Sequence, residues 1–260
     1  MAPPAFLEQG DGPTTVFLLH GVGGGKEVWA RTTGALAAAG YRTIAWDMPG
    51  YGASASIAPY TTETLAGALR QLIEHVGASR NVVLGHSMGG MVAQELAALH
   101  PALVQGLVLY STSPAFGKAD GAWQQQFLQS RFAPLDQGLG MAGLAAGIVP
   151  GMFAPGADVD RMGEAVAVMA RVPDSSYRAA LAAIVSFNRL DHLAQIAAPT
   201  LCMAGEFDPN APPAVVEKMA SRIPGAAYVC LPGAGHIANL EQPALFNRAV
   251  LDFLTRHFPT

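Results

Sequence analysis

An α/β fold, with a mostly parallel sheet flanked by helices, is the architecture that this chain of 260 residues predicts. Three observations predict it. Short apolar or β-branched runs alternate with alanine-rich or amphipathic segments of helical length. The stretch Gly85-His86-Ser87-Met88-Gly89-Gly90 joins one such run to a helical segment. Four chemically capable residues, His20, Ser87, Asp208 and His236, each fall just past a predicted strand end. Open parallel sheets gather their chemistry at that edge.

The elements follow in order. Residues 5–12 suit a short edge strand, closed by Gly10-Asp11-Gly12-Pro13. The first continuous β-run is Thr14 to Leu19, ending in the glycine-rich loop His20-Gly21-Val22-Gly23-Gly24-Gly25. The loop does not fit a nucleotide-binding pattern: the position five before Gly25 is His20, and Lys26 is followed by Glu27. It reads better as flexible backbone that presents N–H groups, chiefly that of Val22, to an oxyanion. Glu27 to Ala39 predicts a helix stopped by Gly40, and Tyr41 to Trp46 a strand. Thr62 to Val76 is amphipathic, with Leu65, Leu69, Leu72, Ile73 and Val76 on one face. Asn81 to Leu84 is the strand before the serine, Met91 to Leu99 a helix after it, and Val104 to Tyr110 the next strand.

From Pro114 the alternation stops, and no strand is expected before Thr200. Helices are expected at 121–132, 138–148, 158–170 and 176–187. A helical insertion after a sheet strand reads as a cap over the carboxyl ends. The expected division is a core of 1–113 and 191–260 and a cap of 114–190. Met141, Met152, Met162 and Met169 in the insertion are read as core filler rather than binding surface. Alternation resumes with strand Thr200 to Ala204, helix 212–222, strand Ala227 to Leu231 and a closing helix from Pro243 to about His257.

Composition narrows the class. Half of the residues are hydrophobic, enough for a sizeable core, and a net charge of −4 leaves no footprint for nucleic acid. Cys202 and Cys230 lie in predicted strands and are expected as buried thiols, with no disulfide framework or metal spacing. Met1 to Ala5 lacks a basic stretch followed by an apolar core, and no run is long enough to span a bilayer. A cytoplasmic protein, monomer or homodimer, without metal or cofactor, is the expectation.

The chemistry centres on Ser87. In Gly-x-Ser-x-Gly at a strand-to-helix junction, the serine occupies a strained turn that exposes its hydroxyl, and Gly85 and Gly89 avoid collisions with the flanking strand and helix. The helix N-terminus beyond favours a developing negative charge. A serine hydroxyl needs a base. Of seven histidines, His75, His100, His192 and His257 sit in or beside helices, and His20 and His86 belong to backbone-shaping motifs. His236 stands alone in a Gly/Pro loop after a strand and is the candidate base. The base needs an acid. Asp208 is best placed, with Asp47 and Asp191 as alternatives. Asp47 is more simply explained by bonding its own turn, and Glu206 is expected to face elsewhere. Ser87, Asp208, His236 is the chain order of α/β-hydrolase arrangements. Backbone N–H groups of Val22 and Met88 are the expected oxyanion donors. His20, Gly21, Trp123, Phe127 and Ile237 are expected around the substrate.

These motifs resemble the α/β-hydrolase superfamily across nearly the whole chain: His20-Gly21, the loop Asp47 to Ser54, the serine motif, Pro199-Thr200-Leu201 through Asp208, and Gly235-His236. Within it, the chain is similar to the branch of 3-oxoadipate enol-lactonases, small esterases, cofactor-free haloperoxidases and aromatic meta-cleavage-product hydrolases. The tail Gly235 to Pro243 is especially similar to the enol-lactonase type. The resemblance implies an α/β-hydrolase fold with a shortened N-terminal hairpin. Ser87 stands where haloalkane dehalogenases and epoxide hydrolases carry aspartate. His86 and Ile237 stand where meta-cleavage-product hydrolases usually have Asn and Trp, and enol-lactonases often carry another residue before the serine. The expected function is a serine hydrolase of a small to medium carboxylic ester or lactone, through an acyl-enzyme on Ser87. The alternatives are C–C bond hydrolysis of meta-cleavage products and a catalytically silent ligand-binding protein. One of Arg131, Arg161, Arg171 or Arg178 would have to face the pocket for an anionic substrate.

Overall fold

The computed structural model describes residues 2–117 and 121–260; positions 118–120 of the expected insertion lie outside the described residues. Seven strands form one sheet: β1 (Phe6–Gln9), β2 (Thr15–Leu19), β3 (Arg42–Trp46), β4 (Asn81–His86), β5 (Gly106–Tyr110), β6 (Thr200–Gly205) and β7 (Ala227–Leu231). Their spatial order is β1-β3-β2-β4-β5-β6-β7. Only β1 runs antiparallel, pairing Phe6 with Trp46 at the edge. The others are parallel, so their carboxyl ends share one rim. The expected α/β class, strand count and parallel sense are all present.

β2 and β4 are buried along their full length because helices cover both sheet faces. Val16, Leu18, Val82, Leu84 and Val108 pack with Trp29, Leu36, Phe246 and Val250, which come from the side of α1 (Ala30–Ala38) and α9 (Pro243–His257). Phe17, Leu19, Val83 and Leu109 point the other way. They meet the apolar faces of α2 (Thr62–Val76), α3 (Met88–Leu99) and α8 (Pro213–Ala220). That second core continues without a break into the insertion through Leu144, Tyr177 and Leu181.

The insertion is helical, as expected, with α4 (Ala122–Asp136), α5 (Gly140–Ile148), α6 (Val159–Met169) and α7 (Asp174–Val185). Its far end is fastened by Arg189, which pairs with Glu95 of α3; Nε donates to Oε2 at 2.9 Å and the second guanidinium arm bonds Oε1.

Three local expectations are corrected. The helix expected from Glu27 begins as a 3₁₀ turn, Lys26–Trp29, and becomes α1 only at Ala30. Gly25 at its start has no side chain to cap the first N–H groups, and Val28 N–H bonds Gly25 C=O in the tighter i→i+3 pattern. The helix after the serine begins at Met88 rather than Met91, because the turn at Ser87 passes directly into the first helical residue. Cys230 is exposed, unlike Cys202, since β7 is an edge strand with one poorly covered face.

Candidate active site

The residue at the centre is Ser87, at φ 53 and ψ −117, a conformation that costs a side-chain-bearing residue energy. The turn is pinned around it. Ser87 N–H donates to Tyr110 C=O at 3.0 Å, and its own C=O accepts the Thr112 hydroxyl at 2.7 Å. A Cβ on Gly85 would collide with the Gly89 backbone, and one on Gly89 with the Leu19 carbonyl. Both glycines are therefore steric requirements.

Asp208 and His236 leave the ends of β6 and β7 and meet. His236 Nδ1–H donates to the Asp208 carboxylate, at 2.8 Å to Oδ1 and 2.9 Å to Oδ2, with both side chains buried. This leaves Nε2 as the basic nitrogen. Asn210 and Ala211 N–H donate to Asp208 Oδ1 at 2.8 and 2.9 Å. Burial pushes the Asp208 carboxyl up, but His236 and the Ala211 N–H outweigh it and hold the group below its ordinary range. The Ser111 hydroxyl adds to this from beside the carboxylate. It is buried without a hydrogen bond of ordinary geometry, on a residue at φ 48.

The other acids are engaged elsewhere. Asp47 bonds its own loop at Ala53 N–H and pairs with Lys26 at 2.5 Å. Glu206 accepts Gly233 N–H, and Asp191 is exposed.

The His20 loop shapes a second set of donors. His20 Nε2 accepts Met48 N–H at 3.0 Å, which leaves Nδ1–H to donate to Gly21 C=O at 2.8 Å. Burial lowers the His20 pKa and keeps the ring in this neutral tautomer. Gly24 N–H also bonds Gly21 C=O, and the Tyr51 hydroxyl holds Val22 C=O at 2.9 Å. A trans peptide points its N–H opposite its C=O. Fixing Gly21 C=O against His20 thus turns Val22 N–H away from it. Among the described residues, neither Val22 N–H nor Met88 N–H has a hydrogen-bond partner.

One cavity of about 360 Å³ joins these groups. Ser87, His236, Gly21, Val22, Met88 and Ile237 line it from the sheet side, and Trp123, Phe127, Arg131, Met152, Met169 and Tyr177 from the insertion. The walls are mainly apolar. His20, expected at the substrate, is corrected: it is fully buried behind the wall, with both ring nitrogens bonded to backbone. Met152 and Met169 are wall residues as well as filler, a second correction, whereas Met141 is core. Of the four arginines, only Arg131 lines the cavity, stacked 3.8 Å over Phe127. Among the described residues no group of His, Cys, Asp and Glu side chains is placed to hold a metal ion.

Sequence reasoning missed Tyr51, Ser111 and the supporting role of His20. Ser111 carried a usable signal, since it too follows directly on a strand, like the four residues singled out. Tyr51 carried none, because its partner lies in another loop.

The family model described as alpha/beta hydrolase fold matches residues 14–243. A Mycobacterium tuberculosis protein that carries the name of a non-heme bromoperoxidase, BpoC, is 31% identical over 257 residues, 96% of each chain. A pimeloyl-[acyl-carrier protein] methyl ester esterase of Vibrio vulnificus is 29% identical, over 94% of this chain and 95% of its own. Among solved structures, the enol-lactonase from Burkholderia xenovorans LB400 has a TM-score of 0.85 at 27% identity, covering 96% of each chain.

Proposed function

The chain belongs to the alpha/beta hydrolase fold family, and from that membership we propose that it is a serine hydrolase of small to medium carboxylic esters or lactones. One observation carries the reading. A buried His236–Asp208 pair and a strained Ser87 open onto the same apolar cavity. In the proposed reaction, Ser87 Oγ attacks the acyl carbon while His236 Nε2 takes its proton. Asp208 holds the tautomer and balances the imidazolium charge. The carbonyl oxygen becomes an oxyanion that the Val22 and Met88 N–H groups receive. Each such donor supports the transition state by about 3–4 kcal/mol in comparable sites.

Collapse of the tetrahedral species breaks the ester C–O bond, and His236 returns its proton to the leaving alkoxide. Water, deprotonated by His236, then attacks the acyl-enzyme and releases the acid and free Ser87. In a lactone the leaving alcohol stays tethered to the acyl group, so both halves depart together. Residues 114–190 act in this reading as a lid on a core of 1–113 and 191–260, and exclude water from the acyl pocket. The enol-lactonase and methyl ester esterase among the similar proteins support the substrate class.

The test is a panel of p-nitrophenyl acetate, butyrate and longer esters, simple lactones and a coloured meta-cleavage product. Ester or lactone turnover with a clear size preference is expected. It should fall by roughly 10⁴-fold or more in Ser87→Ala. Turnover of the meta-cleavage product alone would replace this reading with C–C hydrolysis, and rates indifferent to acyl size would contradict a shaped pocket.

A further inference from the structure

The loop carrying His236 is fastened to the helical insertion by one side chain, Glu241. Its Oε1 accepts Gly235 N–H at 2.9 Å, and its Oε2 accepts Ala154 N–H at 2.8 Å. Beside these bonds, His236 N–H donates to Met152 C=O at 2.7 Å. The two segments approach so closely that a Cβ on Gly235 would collide with the Met152 carbonyl. Glycine is required there by contact rather than by dihedral angle.

The seam has a catalytic side and a substrate side. His236 and Ile237 line the cavity from one segment, and Val149 and Met152 from the other. Two backbone N–H groups converge on Glu241, and a carboxylate accepts both without presenting a donor of its own. Burial and the nearby Asp208 charge push the Glu241 carboxyl up, against the backbone N–H groups of Ala154, Gly235 and Ile237. The acid therefore sits where its charge is costly, which points to a task for its two oxygens.

We propose that Glu241 is a positioning residue that locks the His236 loop to segment 152–154, so that the base and the adjoining cavity wall move as one unit. The catalytic part of this inference rests on the serine hydrolase reading; the mechanical part does not. A substrate packed against Met152 then steadies His236 through the same link. Loosening it reduces the fraction of bound complexes in which the base is aligned.

Two variants test the link from opposite sides. Glu241→Gln keeps one acceptor but sets an NH₂ against the other N–H. Ala154→Pro removes the donor on the insertion side, and Phe153 before it is already extended at φ −93 and ψ 155, as proline prefers. Amide hydrogen exchange is measured in both. In Glu241→Gln, residues 153–154 and 235–236 should lose protection together by about ten-fold, while Met88–Leu99 stays unchanged. For p-nitrophenyl butyrate, kcat should fall by roughly ten-fold with KM within about two-fold in each variant, and the double variant should be no worse.

Loss of protection on one side only, or throughout the protein, overturns the link. An unchanged kcat with the paired loss of protection overturns the positioning role. A wild-type protein that hydrolyses none of the esters counts against the serine hydrolase reading, while exchange still decides whether Glu241 couples the two segments.

Discussion

His86, immediately before the serine, stacks on Tyr110 with ring centroids 4.7 Å apart and lies 4.8 Å from the His236 ring. Its Nε2–H donates to the His236 carbonyl at 2.8 Å, and the Tyr110 hydroxyl donates to the same oxygen at 2.9 Å. Burial, reinforced by His236, pushes the His86 pKa down from 6.5 to about 3. The unfolded chain therefore binds a proton below about pH 6.5 that the folded chain refuses until about pH 3. By linkage, stability falls with decreasing pH across that window, by up to about 1.4 kcal/mol per pH unit. His86→Gln retains a donor for the His236 carbonyl and removes the titration. Urea unfolding at pH 7, 6 and 5 should give a wild-type curve that drops more steeply than the variant's. Parallel curves would contradict the assignment. At this scale the sequence was partly legible. Ser87 announced itself through Gly85 and Gly89, a purely local steric need. His86 and His20 looked like motif punctuation because their partners, His236 and Met48, lie 150 and 28 positions away.

Among the elements, α3 carries most of the consequences. It starts at the candidate nucleophile and is buried along nearly its whole length. Its Glu95 is almost fully enclosed, and its main partner is Arg189, at the far end of the insertion. Replacing Arg189 by Met should leave a carboxylate buried without compensation, at about 3 kcal/mol. For a chain of this size that corresponds to a Tm lower by roughly 6–12 °C. Double replacement of Glu95 and Arg189 by apolar residues should recover much of the loss. A single variant that melts with the wild type would show that the pair contributes nothing to stability. β2, β4 and β6 were readable almost to the residue because burial on both faces leaves uninterrupted apolar runs, whereas the exposed edge strand expected over 5–12 spans only Phe6–Gln9. Thr62 and Pro243 open their helices as read, but the starts of α1 and α3 were not legible. Neither Gly25 nor Ser87 makes a side-chain capping bond, and the chain's entry into α1 and α3 depends on loop geometry that a residue pattern does not express.

For the whole molecule, the parallel sheet delivers His20, Ser87, Ser111, Asp208 and His236 to one rim, and α4 to α7 line the cavity there from the other side. The strand-end rule was enough to collect His20, Ser87, Asp208 and His236 from positions spread over the chain, while Ser111 went unnoticed at the end of its own strand. It could not say which of them reach the cavity and which brace it from behind, since that depends on loop packing. Whether Ser87 is an activated nucleophile is read out by intact-mass spectrometry after a fluorophosphonate probe. A single adduct that maps to Ser87 is expected, absent in Ser87→Ala and slowed by orders of magnitude in His236→Ala. An unlabelled wild-type protein, or an adduct that survives in Ser87→Ala, would contradict that role.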